Sequence, residues 1–309
     1  TSATHCLIKS IKFKYPNCKK IYIPNNCYIA AYNVALLEFN KDEIEIVPSD
    51  PDTWNMDLKY IDKMEKNAAL LLIHNIGNII PINKIQEIRP DLVIVEDNCE
   101  GFMGKYNNKF SGTDTLASSI SFFANKHITC GEGGAFVTNN TEIYNYIFKY
   151  TRQGITDIRY KHDIIATNYR INNIQAAILW SQFNFLDEVL LIKKELIKYY
   201  KDKMECLLDN IEFQKIENET EHSNWGFGIK IKNGYSSYKE IETFFKNRNI
   251  EIRPLFYDYS VHNHLSSIKC IDEYKKIDNQ VILLPLHPYL NSKDINKVIY
   301  TIKEYLEIN

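Results

Sequence analysis

Two short segments of the chain place a carboxylate and an amine where a sheet would present them to a ligand. Asp97 closes residues 92–97, an apolar run whose last two residues are acidic. Ligands of open α/β sheets bind at the carboxyl ends of strands, so this position places Asp97 in a candidate site. Lys126 follows a second β-rich run, residues 118–123, and precedes a glycine-dense turn. A lysine that is partly desolvated at a strand end has a neutral amine available as a Schiff-base nucleophile.

Together, these two residues are what pyridoxal phosphate (PLP) chemistry requires. A carboxylate keeps the pyridine nitrogen protonated so that the ring accepts electrons, and a lysine carries the cofactor and moves protons at the substrate carbon. Each residue alone also fits a structural role, Asp97 as a helix N-cap or loop carboxylate and Lys126 as a solvated loop lysine. The glycines at 131–134 do not indicate a nucleotide loop, because Phe136 breaks the GxGxxG pattern and no GK[ST] sequence is present.

The segments that must position these residues alternate between β-rich and helical patterns. Strands are predicted at 21–23, 44–47, 69–73, 92–95, 118–123 and 134–138, several of them continuously apolar, as buried parallel strands are. Helices are predicted between them at 26–37, 57–66 and 83–88. Residues 171–203 predict a long helical tract that starts at an N-cap, Asn172 or Asn173, and connects two domains. Strands at 225–231 and 250–255 and helices at 238–247 and 292–308 then predict a small α+β domain.

Charge and composition argue against several kinds of partner. The chain has 37 Lys and Arg against 39 Asp and Glu and no basic stripe, so we expect no nucleic-acid partner. The longest apolar runs, 68–73 and 281–286, are far shorter than the roughly 20 residues of a membrane helix, so we expect no membrane partner. Seven scattered cysteines without CxxC spacing predict reduced thiols and a cytoplasmic protein. No metal site is expected, because His262 and His264 lack a third ligand at suitable spacing.

The residues around both candidate positions resemble the signature motifs of the sugar-nucleotide aminotransferases known as the DegT/DnrJ/StrS family. Residues 95–104 (VEDNCEGFMG) and 121–134 (SFFANKHITCGEGG) are similar to its two motifs in order and spacing. Further similar segments are 1–4 (TSAT), 24–30 (PNNCYIA), 52–57 (DTWNMD), 162–170 (HDIIATNYR), 173–177 (NIQAA) and 284–288 (LPLHP). The resemblance covers essentially the whole chain.

That resemblance implies an α/β fold, the PLP-dependent transferase type I (aspartate aminotransferase-like) architecture. A large PLP-binding domain with a mostly parallel sheet is expected over residues 1–195, and a small α+β C-terminal domain over residues 196–309. The family also has an N-terminal segment of a few tens of residues that this sequence lacks, so the large domain is expected to be N-terminally incomplete.

The resemblance also implies roles for residues around the cofactor. Lys126 is expected to bind PLP as the internal aldimine, Asp97 to hold the pyridinium, Glu100 to lie near the ring and Tyr28 to stack on its face. The phosphate of PLP is expected to be held by Ala3, Thr4 and Ser121, the first two at a helix N-terminus.

Other residues are expected to contact substrate or a second subunit. Asn168 is expected to reach the phosphate of a neighbouring subunit, which predicts a homodimer with a shared active site. His162, Arg253 and Tyr257 are expected to contact the substrate.

Within the family, Glu100, residues 122–126 (FFANK) and the segment around Arg152 and His162 are most similar to the GDP-perosamine synthase-like 4-aminotransferases. The resemblance implies transfer of an amino group from glutamate to the C4 ketone of a nucleotide-linked 4-keto-6-deoxyhexose. Two departures, Thr167 and the segment 258–260 (DYS), leave the substrate open.

Two alternatives stand beside this interpretation. PLP-dependent 3-dehydratases of the same family carry histidine at the Schiff-base position, and Lys126 favours transamination over that activity. The lack of the N-terminal segment keeps a catalytically silent or truncated paralogue with a regulatory or assembly role as the other alternative.

Overall fold

The computed structural model describes residues 1–308, and Asn309, the last residue of the predicted C-terminal domain, lies outside that range. The α-helices are α1 (Ser2–Lys14), α2 (Ala30–Glu38), α3 (Ile82–Ile88), α4 (Thr141–Tyr150), α5 (Asn173–Phe183), α6 (Leu186–Met204), α7 (Tyr238–Lys246) and α8 (Ser292–Ile308). The strands are β1 (Ile21–Pro24), β2 (Ile44–Val47), β3 (Ala69–Ile73), β4 (Val93–Asp97), β5 (Lys105–Tyr106), β6 (Lys109–Phe110), β7 (Ser118–Ser121), β8 (Gly134–Val137), β9 (Ile211–Phe213), β10 (Thr220–Glu221), β11 (Gly228–Ile231), β12 (Arg253–Pro254), β13 (Lys269–Cys270) and β14 (Val281–Leu283).

A seven-stranded sheet in the order β13-β2-β1-β3-β4-β7-β8 forms the centre of the molecule. Neighbouring strands pair in parallel except β7 and β8, which confirms the predicted, mostly parallel sheet. Every residue of β3 is buried, as expected for a continuously apolar strand covered on both faces. Because β4 and β7 are adjacent and parallel, their carboxyl ends, at Asp97 and Ser121, lie at the same edge of the sheet.

Helix α1 brings the start of the chain to this edge. Its buried residues Leu7, Ile8 and Ile11 pack in the same apolar cluster as β1, and the helix also contacts β7 and β8. The N-terminus of α1 approaches the end of β7: a Cβ at Gly134, which pairs with Ser121, would lie 3.3 Å from Cβ of Ala3. A helix N-terminus with unpaired backbone N–H groups therefore lies beside the strand ends.

The C-terminal part has its own antiparallel sheet, in the order β12-β14-β11-β9, and its own apolar core. Ile197 and Tyr200 of α6 belong to that core, whereas Leu186 of the same helix packs with Phe122 beside the first sheet. One strand, β13, returns to pair with β2 in the first sheet. The division at residues 195 and 196 stays a prediction, and the continuous helix α6 passes through it.

Several predicted elements differ from the structure. The tract 171–203 forms two helices, since Asn184 and Phe185 separate α5 from α6. The break lies where Leu186 packs into an apolar cluster with Phe122. Residues 57–66 form only a short 3-10 helix, Leu58–Lys63. The strands predicted at 225–231 and 250–255 shorten to β11 and β12. The N-cap is Asn172, whose side chain accepts from the backbone N–H of Gln175.

Among residues 1–308, no helix combines the length and the apolar character that crossing a membrane requires.

Candidate active site

Lys126 lies in a turn after β7, with its amine in a nearly closed environment. Its side chain is 12% exposed, and Nζ is 3.8 Å from Oε1 of Glu100. Nζ also lies 4.0 Å from the centroid of the Trp225 ring, within the range of a cation–π interaction. The Trp225 indole N–H donates to the carbonyl of Asn125 at 3.1 Å, which fixes this ring against the turn. The amine is therefore held by one carboxylate and one aromatic face.

Asp97, the last residue of β4, has both carboxylate oxygens engaged. The Thr4 hydroxyl donates to Oδ2 at 3.2 Å, and the backbone N–H of Cys99 donates to Oδ1 at 3.1 Å. Burial raises the pKa of the nearby Cys99 thiol, and the charge of the Asp97 carboxylate raises it further, whereas the Lys126 charge lowers it. Asp97 and Lys126 thus act electrostatically on the same small region.

Glu100 is a buried carboxyl, 7% exposed, beside the Lys126 amine. Its Oε2 accepts the backbone N–H of Ile76 at 2.8 Å. Burial raises the pKa of Glu100 to about 7, against the opposing effects of the Lys126 charge and the Ile76 hydrogen bond. Ile76 has φ of 61°, a left-handed conformation that is costly for a β-branched residue. The chain keeps this conformation at the point where its N–H meets Glu100.

Behind the strand end, Glu96 and His74 form a fully buried pair. Nε2 of His74 is 3.0 Å from Oε1 of Glu96, which also accepts the N–H of Gly112, and Oε2 accepts the hydroxyl of Thr115. Nδ1 of His74 accepts the backbone N–H of Ile80, so the ring proton lies on Nε2 and is donated to Glu96. These bonds fix the backbone of β4 immediately before Asp97.

A cavity of about 360 Å³ opens between the N-terminus of α1 and the end of β7. It is lined by Ala3, Cys99, Ser121 and Asn168, among others. The first turn of α1 supplies backbone N–H groups and a positive dipole end, which suit a phosphate. Neither Lys126 nor Asp97 lines this cavity itself, but an amine, a carboxylate and a phosphate-binding helix N-terminus are the groups that PLP requires.

The side chains of Thr4, Ser121 and Asn168, which are predicted to contact a phosphate, already have hydrogen-bond partners within the chain. The Thr4 hydroxyl is donated to Asp97. The Ser121 hydroxyl oxygen accepts the N–H of Phe123 at 3.3 Å, and Oδ1 of Asn168 accepts Nε of Arg170 at 3.1 Å. Asn168 lies beside Ala3 and Ser121 of its own chain, and its contact with a second subunit stays a prediction.

A second cavity, of about 610 Å³, lies between the Lys126 turn, α6 and the C-terminal sheet. Lys126 and Arg253 both line it, so the structure brings together one predicted catalytic and one predicted substrate residue. Tyr28, which is exposed, meets the Phe256 ring edge-on at 5.9 Å between centroids. Tyr257 and His162 line neither cavity. Burial raises the pKa of Tyr257, and Nδ1 of His162 is 2.8 Å from the carbonyl of Gln153.

Two residues at this second cavity, Trp225 and Lys193, lie outside the motifs, and His127 lies inside the motif of residues 121–134 without an expected role. Trp225 lies about a hundred residues from Lys126 in a segment predicted as a plain strand, so no local pattern indicates it. The position of Lys193 could have been predicted from helical periodicity. Lys193 precedes the buried residues Ile197 and Tyr200 by four and seven positions, so its charge falls on the apolar face of α6.

The sequence matches the model of the DegT/DnrJ/EryC1/StrS aminotransferase family over residues 1–303. The chain belongs to this family. The predicted membership is therefore confirmed, and with it the PLP-dependent aminotransferase fold, an enzyme role and the cofactor PLP.

Individual relatives carry two different activities. The chain is 29% identical over 297 residues to GDP-perosamine synthase of Escherichia coli O157:H7, covering 93% of this chain and 79% of that protein. It is 25% identical over 267 residues to GDP-4-keto-6-deoxy-D-mannose 3-dehydratase of Escherichia coli O55:H7, covering 74% and 68%. A solved E. coli GDP-4-keto-6-deoxy-D-mannose-3-dehydratase with bound hydrated PLP has a TM-score of 0.84 at 22% identity, covering 97% of this chain and 84% of that one.

Proposed function

We propose that this enzyme transfers an amino group from glutamate to the C4 ketone of a nucleotide-linked 4-keto-6-deoxyhexose. The observation that carries the proposal is the Lys126 amine, nearly closed from solvent beside Glu100 and Trp225 in a chain of this aminotransferase family. The 29% identity to a GDP-perosamine synthase supports a GDP-linked sugar as the acceptor.

The same proposal assigns residues to the cofactor. Lys126 would bind PLP covalently, Asp97 would hold its pyridine nitrogen and Tyr28 would cover the ring. Ala3, Thr4 and Ser121, at the N-terminus of α1 and the end of β7, would hold its phosphate. When bound, PLP supplies an electron sink for the charge left on a substrate carbon. Asp97 suits its role because Thr4 and Cys99 already fix both of its oxygens, so little reorientation is needed.

Proton transfer is assigned to Lys126 and Glu100. Nζ of Lys126 would take the proton from Cα of glutamate and, in the second half of the reaction, deliver a proton to C4 of the sugar. Glu100 supports this role because its pKa of about 7 lets Oε1 hold or release a proton at neutral pH, 3.8 Å from Nζ.

Three residues are proposed to contact the sugar nucleotide: Arg253, His162 and Tyr257. Arg253 is supported by its position in the cavity that contains Lys126, where its guanidinium pairs with Oε1 of Glu251 at 3.2 Å. His162 uses Nδ1 for the Gln153 carbonyl, which leaves Nε2 for a ligand.

We also propose that two copies of the chain associate. Helix α5 has no buried residue although it is strongly apolar, and its Ile174 and Trp180 are each 76% exposed. Ile165, in the loop before it, is almost fully exposed. An apolar face of this kind is typical of a protein–protein interface, and a second copy of the same face would cover it. A cytoplasmic location is proposed as well, supported by seven free cysteines.

An isotope experiment tests the proposed reaction. PLP-loaded enzyme is incubated with ¹⁵N-glutamate and GDP-4-keto-6-deoxymannose, and the sugar nucleotide is analysed by mass spectrometry, with Lys126→Ala as the control. The proposal predicts ¹⁵N in the sugar and 2-oxoglutarate in equal amount. The second candidate, supported by the 25% identity to a 3-dehydratase, predicts a sugar that has lost its C3 hydroxyl and contains no ¹⁵N. Unchanged substrates would contradict both.

A further inference from the structure

Lys193 is a buried cation without a counter-charge. It lies on α6 and is 4% exposed, and its Nζ donates to the backbone carbonyl of Trp225 at 3.2 Å. Among residues 1–308, no carboxylate comes within ion-pair distance of this amine. A buried charge is costly unless it is paired, so an unpaired lysine lining a cavity indicates that something outside the chain pairs with it.

His127 supplies a second, independent observation in the same cavity. It is 6% exposed, and neither ring nitrogen makes a hydrogen bond of acceptable geometry in the described part of the chain. Burial, and then the charges of Lys193 and Lys126, hold its pKa well below the ordinary value, so the ring is neutral and has one N–H to donate. Buried polar groups without partners are rare in folded proteins, and this one lines the same cavity as Lys193.

We propose that Lys193 and His127 form a binding site for an anionic oxygen group of a substrate, a carboxylate or a phosphate, in the cavity that also contains Lys126. The proposal rests on the proposed function, whose substrates offer two sources of such a group. One is a carboxylate of the amino donor, and the other is the diphosphate of the sugar nucleotide.

The remaining charged and titratable groups of the cavity wall come from the C-terminal part: Glu251, Arg253, His287, Asp294 and Lys297. The Arg253 guanidinium is already paired with Glu251. Neither Glu251 nor Asp294 forms an ion pair with Lys193 in the described part of the chain, so Lys193 has no carboxylate of its own and the site attracts an anion.

The charge of Lys193 makes binding depend on pH in a defined direction. Burial, with a smaller effect of the Lys126 charge, lowers the pKa of Lys193 to about 8. The amine is charged below that pH and loses its charge as the pH rises through it, so the affinity for the anion falls above pH 8. Arginine keeps its charge over this range, so Lys193→Arg removes the pH dependence.

Calorimetric titration of the PLP-loaded protein tests the proposal without turnover. 2-Oxoglutarate probes the donor carboxylate and GDP probes the diphosphate, each at pH 7 and pH 9. Lys193→Met is expected to weaken one of the two ligands at least tenfold at pH 7, while Lys193→Arg stays within threefold of the wild type. Lys201→Met is the matched control, since Lys201 lies on the same helix but lines a different, small cavity.

The outcomes separate the two sources and the two proposals. Selective loss of 2-oxoglutarate binding assigns the site to the amino donor, and selective loss of GDP binding assigns it to the nucleotide. The site is overturned if Lys193→Met binds both ligands with wild-type affinity. It is also overturned if Lys193→Met and Lys193→Arg weaken binding equally, because Lys193 would then act through packing and not through its charge. If no ¹⁵N is transferred but Lys193-dependent binding persists, the proposed reaction fails and the site stands.

Discussion

Glu100→Gln removes a carboxyl group whose surroundings disfavour its charge. Burial raises the pKa of Glu100 from 4.5 to about 7. The pKa of Glu100 is higher in the folded state than in the unfolded state, so the protonated carboxyl contributes stability below pH 4.5. This contribution to the unfolding free energy, about 3 kcal/mol, is lost as the pH rises from 4.5 through about 7. Glutamine has no such titration, and its amide oxygen still accepts the Ile76 N–H. The variant should therefore gain stability relative to the wild type as the pH rises.

Urea unfolding of the PLP-free protein, followed by circular dichroism at pH 5 and pH 8, measures this gain. The difference in unfolding free energy between Glu100→Gln and the wild type should be more favourable at pH 8 than at pH 5 by about 2 to 3 kcal/mol. Glu188→Gln, at an exposed position on α6, is the matched control for the substitution itself. The same difference at both pH values for Glu100→Gln would refute the reasoning from burial.

Three further variants test other parts of the account. Asp97→Asn should lower kcat about 100-fold or more in the glutamate reaction, because the amide is a poor partner for a protonated ring nitrogen; retention of a tenth of the activity would contradict this. Trp180→Asp should raise the dissociation constant of the dimer at least about tenfold in sedimentation velocity, and an unchanged constant would argue against the α5 interface. Asp258→Asn should lower the unfolding free energy by about 3 kcal/mol in urea, because the carboxylate is buried and accepts Asn25 at 2.9 Å and the Ser260 N–H at 3.1 Å. A loss below about 1 kcal/mol would show that solvent or a rearranged side chain replaces these bonds.

The sequence predicts most accurately those elements whose pattern is both strong and local. The bounds of β2, β3 and α8 agree with the prediction to the residue. A continuous apolar run explains β3, the alternation of Ile44 and Ile46 with Glu45 is typical of a strand at β2, and an apolar stripe along the helix explains α8. The break between α5 and α6 contains no Gly or Pro that would have predicted it. It lies where Leu186 packs against residues that are distant in sequence, and the sequence pattern does not show that contact.

The candidate site divides in the same way. Asp97 and Lys126 could be found because each follows a strand and lies in a recognisable motif. Trp225 could not be, since only the folded chain brings its ring to 4.0 Å from the Lys126 amine. The departure at Asp258 also acquires a physical role only in the structure, where its carboxylate joins the loop after Tyr257 to the turn at Asn25 before Tyr28.

The central claim, that Lys126 carries the cofactor, is tested most directly by borohydride reduction of the PLP-loaded protein, followed by proteolysis and mass spectrometry. The account predicts a reduced pyridoxyl phosphate group on the peptide that contains Lys126, and none on the peptide that contains the neighbouring buried amine of Lys193. A label on Lys193, or a fully PLP-loaded protein without a label on Lys126, would contradict the account.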